Sequence, residues 1–198
     1  METNNYEALP MMGFRESVKT CFKKYFDLTG RARRSEYWWF GLFAVLAMII
    51  WALFGTLLLG LPIGMAVEHL TGSYNVGLYM MVGIIFLPVI FFIIPSYTVQ
   101  VRRLHDTGRS SLWVLVAIIL DVAAIVLTFS LFGKEFIDFG FFEEYKRAFE
   151  LSTAAGVAIT AFNVVNNVLS FILLVFSILD SHKTENKYGP SPKYYQPE

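Results

Sequence analysis

The stretch Arg102-Arg103-Leu104-His105-Asp106-Thr107-Gly108-Arg109-Ser110 gathers three arginines, a histidine and an aspartate. Arginine forks match the oxygens of carboxylates and phosphates in bidentate fashion. A helix beginning just beyond would add backbone donors and the positive end of its dipole. A phospholipid headgroup or another anionic ligand therefore suits this site. The plainer alternative is that the arginines set membrane topology and reach lipid phosphates without specificity. A third reading is structural, with Asp106 pairing with Arg33 or Arg34 and tying two connections together. A topology-setting loop needs basic residues but no His-Asp pair and no Asp-Thr-Gly turn, so the surplus points to a specific role. Acid–base catalysis by His105 and Asp106 is the weakest reading. Adjacent side chains diverge, and no metal-ligand spacing accompanies them. Neither an enzyme nor a cofactor is expected.

Two other stretches share this chemistry. One is Gly30-Arg31-Ala32-Arg33-Arg34-Ser35-Glu36-Tyr37-Trp38-Trp39, and the other is Asn186-Lys187-Tyr188-Gly189-Pro190. All three are expected to meet on one face. The candidate cluster is then Arg31, Arg33, Arg34, Glu36, Arg102, Arg103, His105, Asp106, Arg109, Asn186 and Tyr188. Glu36 and Asp106 are its nearest acids, and two acids leave an excess of positive charge for other partners or an anionic ligand. A second candidate set is Asp121 with Asn163, Asn166 and Asn167, extended by Ser170. An ionisable residue deep in a span costs several kcal/mol unless paired, and by default suggests function. Interhelical hydrogen bonds, each worth ~0.6–2 kcal/mol, are the bland explanation and the favoured one. The alternative is a small transporter or channel component that uses this polar stripe.

The elements that must position these residues are long apolar runs. Of 198 residues, 56% are hydrophobic and 16% charged, against about 25% charged in a soluble domain; the mean hydropathy is +0.53. A span needs ~20 mostly apolar residues. Four runs qualify, at about 38–60, 77–101, 112–132 and 153–179. Pro62 and Gly64 are expected to loosen the far end of the first. Pro88 and Pro95 favour kinks in the second, Ser35 could cap the first span, and Ser110 or Ser111 the third. The charged island reads as a tight connection, with Gly108 free to take positive φ. Residues 12–29 form an amphipathic helix with Phe14, Val18, Cys21, Phe22, Tyr25 and Phe26 on one face. Basic residues opposite make it an interfacial helix. Residues 1–11 and 193–198 are loose ends around a single membrane domain, 30–192. An acidic, aromatic connection covers Gly133–Ser152. The expected fold is thus an all-α integral membrane protein, four helices in a bundle behind an interfacial helix. The lone Cys21 leaves no internal disulfide.

Lysines and arginines set orientation. Seven precede the first span, three lie in the second connection and three in the tail. The first connection has none, and the third has three diluted by acids. Both termini and the Arg102 island should therefore be cytoplasmic. Zero net charge offers no bulk field for nucleic acid. The expected partners are membrane lipids, anionic ones in particular, and a partner membrane protein or second copy.

The three motifs, in their order along the chain, resemble those of the YhaH-like small bacterial inner-membrane proteins, the domain-of-unknown-function family numbered eight-zero-five. The resemblance runs from about Phe14 to Pro192. It implies a multi-span helical protein of the bacterial inner membrane and brings no activity with it. Members usually carry Gly-Trp after Gly-Arg-Ser, where this chain has Ser111-Leu112-Trp113. Members are also commonly shorter, so the long first and third connections read as additions.

Overall fold

A computed structural model of the chain describes residues 6–138 and 153–197. The acidic, aromatic part of the third connection, 139–152, lies outside the described residues. The chain divides into two units, Met1–Ser110 with Leu179–Glu198, and Ser111–Ile178.

In the first unit, β1 (Glu7–Ala8) pairs antiparallel with β2 (Tyr194–Tyr195), which ties the segment before α1 to the tail. α1 (Phe14–Lys23) follows. Its aromatic face was expected to enter the membrane interface, but much of it is covered by protein. Phe22 packs against Phe40, Phe43, Phe91 and Phe92 at ring separations of 5.7 to 6.3 Å. The Tyr25 hydroxyl donates to the carbonyl of Phe91 at 2.6 Å. Aromatic pairs add about 0.5–1.5 kcal/mol each beyond the area they bury. Phe26 stays exposed.

α2 (Arg34–Ile50) starts one residue before Ser35, with Arg33 at the N-cap. It continues as a π-helical stretch (Trp51–Gly60) and then as α3 (Leu61–Thr71). Trp51 folds its indole over Gly55, where a Cβ would stand 2.8 Å from the ring. Its Nε1 donates to the Ile84 carbonyl at 2.9 Å. Pro62 was expected to loosen the far end of the first span. Instead it occupies the first turn of α3, where a helix tolerates the missing N–H. The helix stops at Gly72, which takes φ +69° and donates to the Glu68 carbonyl. The connection to α4 (Tyr74–Asp106) is therefore Gly72-Ser73, much shorter than the sequence suggested. Gly64 and Gly77 let the two helices approach closely. A Cβ on Gly77 would lie 2.4 Å from the Gly64 carbonyl oxygen.

In the second unit, α5 (Leu112–Asp138) and α6 (Thr153–Ile178) run antiparallel. Trp113 meets Phe176 edge-on at 5.7 Å, and Asp121 meets Asn166 further along. Ser111 sits ahead of α5, and its carbonyl accepts from Val114 and Leu115.

Among the described residues, three helical stretches are long and apolar enough to cross a membrane: Arg34–Thr71, Tyr74–Asp106 and Thr160–Ile178. α5 contributes a shorter apolar stretch, Leu112–Leu127, among the described residues. The chain is thus a mostly helical membrane protein, and the finer expectation of a four-helix bundle goes beyond these helices. Leu58, Phe86 and Ile90 on the first two rods stand exposed, as lipid-facing side chains do.

Candidate functional site

The charged island is not a loop. Val101 to Asp106 form the last turns of α4, and Arg102, Arg103 and Asp106 are fully buried. The helix ends at Thr107, and Gly108 takes φ +76° while its N–H bonds the His105 carbonyl at 3.0 Å. A Cβ at Gly108 would also touch the His182 ring at 3.7 Å. The charges are tolerated inside because each finds partners. An ionised group buried alone would cost several kcal/mol.

Asp106 is the hub. Its Oδ1 accepts from Arg31 Nε at 2.9 Å. Its Oδ2 accepts from Arg103 Nη1 and from the Ser181 hydroxyl. Its backbone carbonyl takes the His182 N–H at 3.1 Å and Arg31 Nη2 at 3.3 Å. Arg31 then spends its remaining donors on the tail, at the carbonyls of His182 (2.6 Å), Thr184 (3.0 Å) and Gly189 (3.1 Å). Arg103 reaches the carbonyls of Ala32 and Leu179. The expected partners of Asp106 were Arg33 or Arg34. The structure gives Arg31 and Arg103 instead, because helical winding brings Arg103 one turn before Asp106 onto the same face.

A second pair sits deeper. Arg102 Nη1 donates to Glu36 Oε1, which also lies 3.8 Å from Cys21 Sγ. Burial first, and then the charge of Glu36, push the Cys21 thiol up to about 12. Arg102 Nε and Nη2 and the Ser17 hydroxyl are buried without hydrogen-bond partners among the described residues.

The tail motif closes the cluster. Asn186 and Gly189 bridge backbone to backbone, with Gly189 at φ +114°. Asn186 Nδ2 donates to the His105 carbonyl at 3.0 Å. The Tyr188 ring stacks on the His105 ring at 3.7 Å and 8°. His105 Nδ1 lies 3.1 Å from the Gly30 carbonyl. Arg33 is held by the carbonyls of Pro192 and Pro10. Arg34 faces Asp180 at 2.9 Å. Arg109 Nη1 bonds the Thr107 carbonyl in its own turn.

Sequence reasoning missed Asp180 and Ser181, reading them as plain polar tail. Asp180 accepts from Lys193 at 2.7 Å and from the Tyr194 hydroxyl at 3.0 Å. Burial opposes its ionisation. The hydrogen bonds from Lys193, the Ser181 N–H and Tyr194, and the nearby Arg34 charge, outweigh that and hold its carboxyl at about 2. An acid at the mouth of a span, three residues before a lysine and thirteen before another, was the available signal. With Asp180 counted and so many carbonyls engaged, the excess positive charge has internal partners.

In the second unit, Asn166 Nδ2 donates to Asp121 Oδ1 at 2.8 Å. Asn163 and Asn167 are exposed. Beside the cluster, a cleft of about 490 Å³ opens between α1, the start of α2, and the residues flanking β1 and β2. Glu16 and Thr20 on α1, with Lys24 just past its end, form one wall; Arg31, Arg33 and Glu36 form the other.

A family described as "Protein of unknown function (DUF805)" matches residues 25–190. The chain belongs to the DUF805 family. The matched range holds all three motifs, whereas α1 and the N-terminal strand precede it. The inner membrane protein YhaH of Escherichia coli strain K12 is 34% identical over 105 residues, 53% of this chain and 74% of YhaH. The inner membrane protein YhaI of the same strain is 36% identical over 105 residues, 53% of this chain and 73% of YhaI. No solved structure matches.

Proposed function

We propose that this is a non-catalytic, multi-pass inner-membrane protein whose arginine and carboxylate cluster works as a clasp. It fastens the lead-in to α2, the end of α4 and the tail into one fixed polar surface, which membrane lipids or a partner protein would meet. The observation that carries this reading is Arg31. Its three nitrogens make five hydrogen bonds, to the Asp106 carboxylate and to four backbone carbonyls on the tail and α4. A guanidinium so committed fixes chain geometry and has no donors to spare for an anionic headgroup. Arg102 and Arg103 are likewise fully buried. Contact with anionic lipid therefore falls to half-buried cations at the edge, such as Arg34 and Arg109. Both termini are placed on the cytoplasmic side, on the lysine and arginine bias, with four spans.

The test is the melting temperature of the purified chain in detergent. Removing one partner of a buried pair costs roughly 3–5 kcal/mol, so Arg31→Ala and Asp106→Ala should each lower it strongly. Their combination should lower it by much less than the sum. Additive losses, or losses no larger than that of Lys19→Ala, would remove the clasp. Asp121 is read in the same spirit, as an interhelical bridge to Asn166. Its short contact with Asn166 favours this over a transport path.

A further inference from the structure

The cleft beside the clasp holds charged groups that the clasp engages only in part or not at all. Arg33 is 9% exposed and is held by two backbone carbonyls, so no carboxylate discharges it among the described residues. Lys24 lines the opposite wall, and its charge also acts on the nearby Asp27. Glu36 is 3% exposed and lines the same cleft. Its Oε1 serves Arg102 and Cys21, and Oε2 has no hydrogen-bond partner among the described residues. A carboxylate oxygen accepts only, so an open one asks for a donor. Glu16 adds a second carboxylate on the α1 wall. The site therefore offers cations for an anion and acceptors for a hydrogen-bearing cation. Its rim is apolar, with Leu9 and Met11 exposed at 44% and 76%. A cleft of this size is in the range of small-molecule sites.

We propose that this cleft binds a zwitterion carrying a phosphate and a primary ammonium, the phosphoethanolamine group. The planar fork of Arg33 and the point charge of Lys24 take the phosphate. Glu36 Oε2 and Glu16 take the ammonium hydrogens. A purely anionic ligand supplies no hydrogen for Glu16 or for Glu36 Oε2, the oxygen that Arg102 does not reach. A quaternary ammonium brings charge but no N–H for Glu36. The apolar rim suits a headgroup that arrives on an acyl-bearing glycerol. The proposal goes beyond the clasp and uses neighbouring groups. Its failure would leave the melting behaviour of the ligand-free Arg31 and Asp106 variants unchanged.

The experiment measures the melting temperature of the full chain in mixed micelles containing phosphatidylethanolamine, phosphatidylcholine or phosphatidylglycerol, and in detergent with soluble phosphoethanolamine. A ligand that binds the folded state raises it with concentration. Phosphatidylethanolamine should raise it by several degrees and the other two lipids by clearly less. Stabilisation by the lipid alone assigns the bilayer as the source. Stabilisation by soluble phosphoethanolamine as well assigns the headgroup as sufficient, and by the soluble compound alone a free metabolite. Lys24→Gln and Glu16→Gln lie outside the clasp and should leave the ligand-free melting temperature in place. Each should raise the half-saturating concentration at least about tenfold. Equal stabilisation by phosphatidylcholine or phosphatidylglycerol, unchanged binding in both variants, or no shift with any probe would overturn the proposal.

Discussion

Asp106 concentrates the cluster at the scale of one residue. Two arginines and a serine converge on its two oxygens, all shielded from water. Asp106→Asn keeps one acceptor oxygen and loses the charge, so both guanidiniums are left buried against a neutral group. It should destabilise by several kcal/mol, nearly as much as alanine, as thermal denaturation in detergent would show. Ser17 is the opposite case. Its hydroxyl is fully buried without a partner among the described residues. A buried polar group that makes no hydrogen bond has already lost its water for nothing. Ser17→Ala should therefore be neutral or stabilising by up to about 1 kcal/mol, and a marked fall in melting temperature would show that the hydroxyl is satisfied after all.

Between elements, the contact of α3 with α4 depends on two glycines. With Gly77 so close to the Gly64 carbonyl, Gly77→Ala must push backbone apart rather than displace a flexible side chain. Overpacking of this kind costs roughly 1–3 kcal/mol. Gly83 on the same helix has nothing within 4 Å of its notional Cβ. Gly83→Ala should gain a few tenths to about 1 kcal/mol from helix propensity. If the two variants melt alike, the close approach is not where α3 and α4 meet. The tail is fastened differently, through Asp180. Its folded carboxyl sits near 2, below the ordinary 3.8. The stability it contributes is whole above pH about 4 and lost as pH falls through about 2. Because its side chain is 46% exposed, the effect is small and weakened by salt. Asp180→Asn should flatten that part of the acid unfolding curve, most visibly at low ionic strength.

These elements also show what the sequence could carry. Long apolar runs and a glycine made for the turn at 108 are local properties, readable from composition and φ. Helix at Val101–Asp106 was not readable, because charged side chains read as solvent-exposed until their partners are known. Those partners, Arg31, Glu36, Ser181 and the carbonyls of Ala32 and Leu179, lie more than sixty residues away, the last two in backbone with no side-chain signature. Pro62 and Gly64 read as breakers for a related reason. Their roles, a first-turn position after a π-helical stretch and a close helix approach, depend on α4.

For the molecule as a whole, the open question is which face of the membrane carries the clasp. The orientation proposed above from the lysine and arginine counts has it, with both termini, on the cytoplasmic side. The native thiol cannot report this. Cys21 is fully buried and its thiol is pushed up to about 12, so it stays protonated and shielded whichever side it occupies. Silence from Cys21 would look like protection by the membrane. Introduced cysteines are needed at places that structure leaves accessible. Ser73 lies in the short turn between α3 and α4 and makes no capping bond with its side chain. Glu185 lies in the exposed part of the tail. In intact cells, a membrane-impermeant thiol reagent should label Ser73→Cys and spare Glu185→Cys. Permeabilised cells should give labelling at both, while the wild-type chain stays unlabelled until it is denatured. Labelling of Glu185→Cys without Ser73→Cys in intact cells would invert the orientation. Labelling of both would place the turn and the tail on the same side, leaving an even number of crossings between them in place of an odd one. The four-span assignment would fall with it, since Arg34–Thr71 alone between the N-terminus and Ser73 requires the tail to return across the membrane an odd number of times.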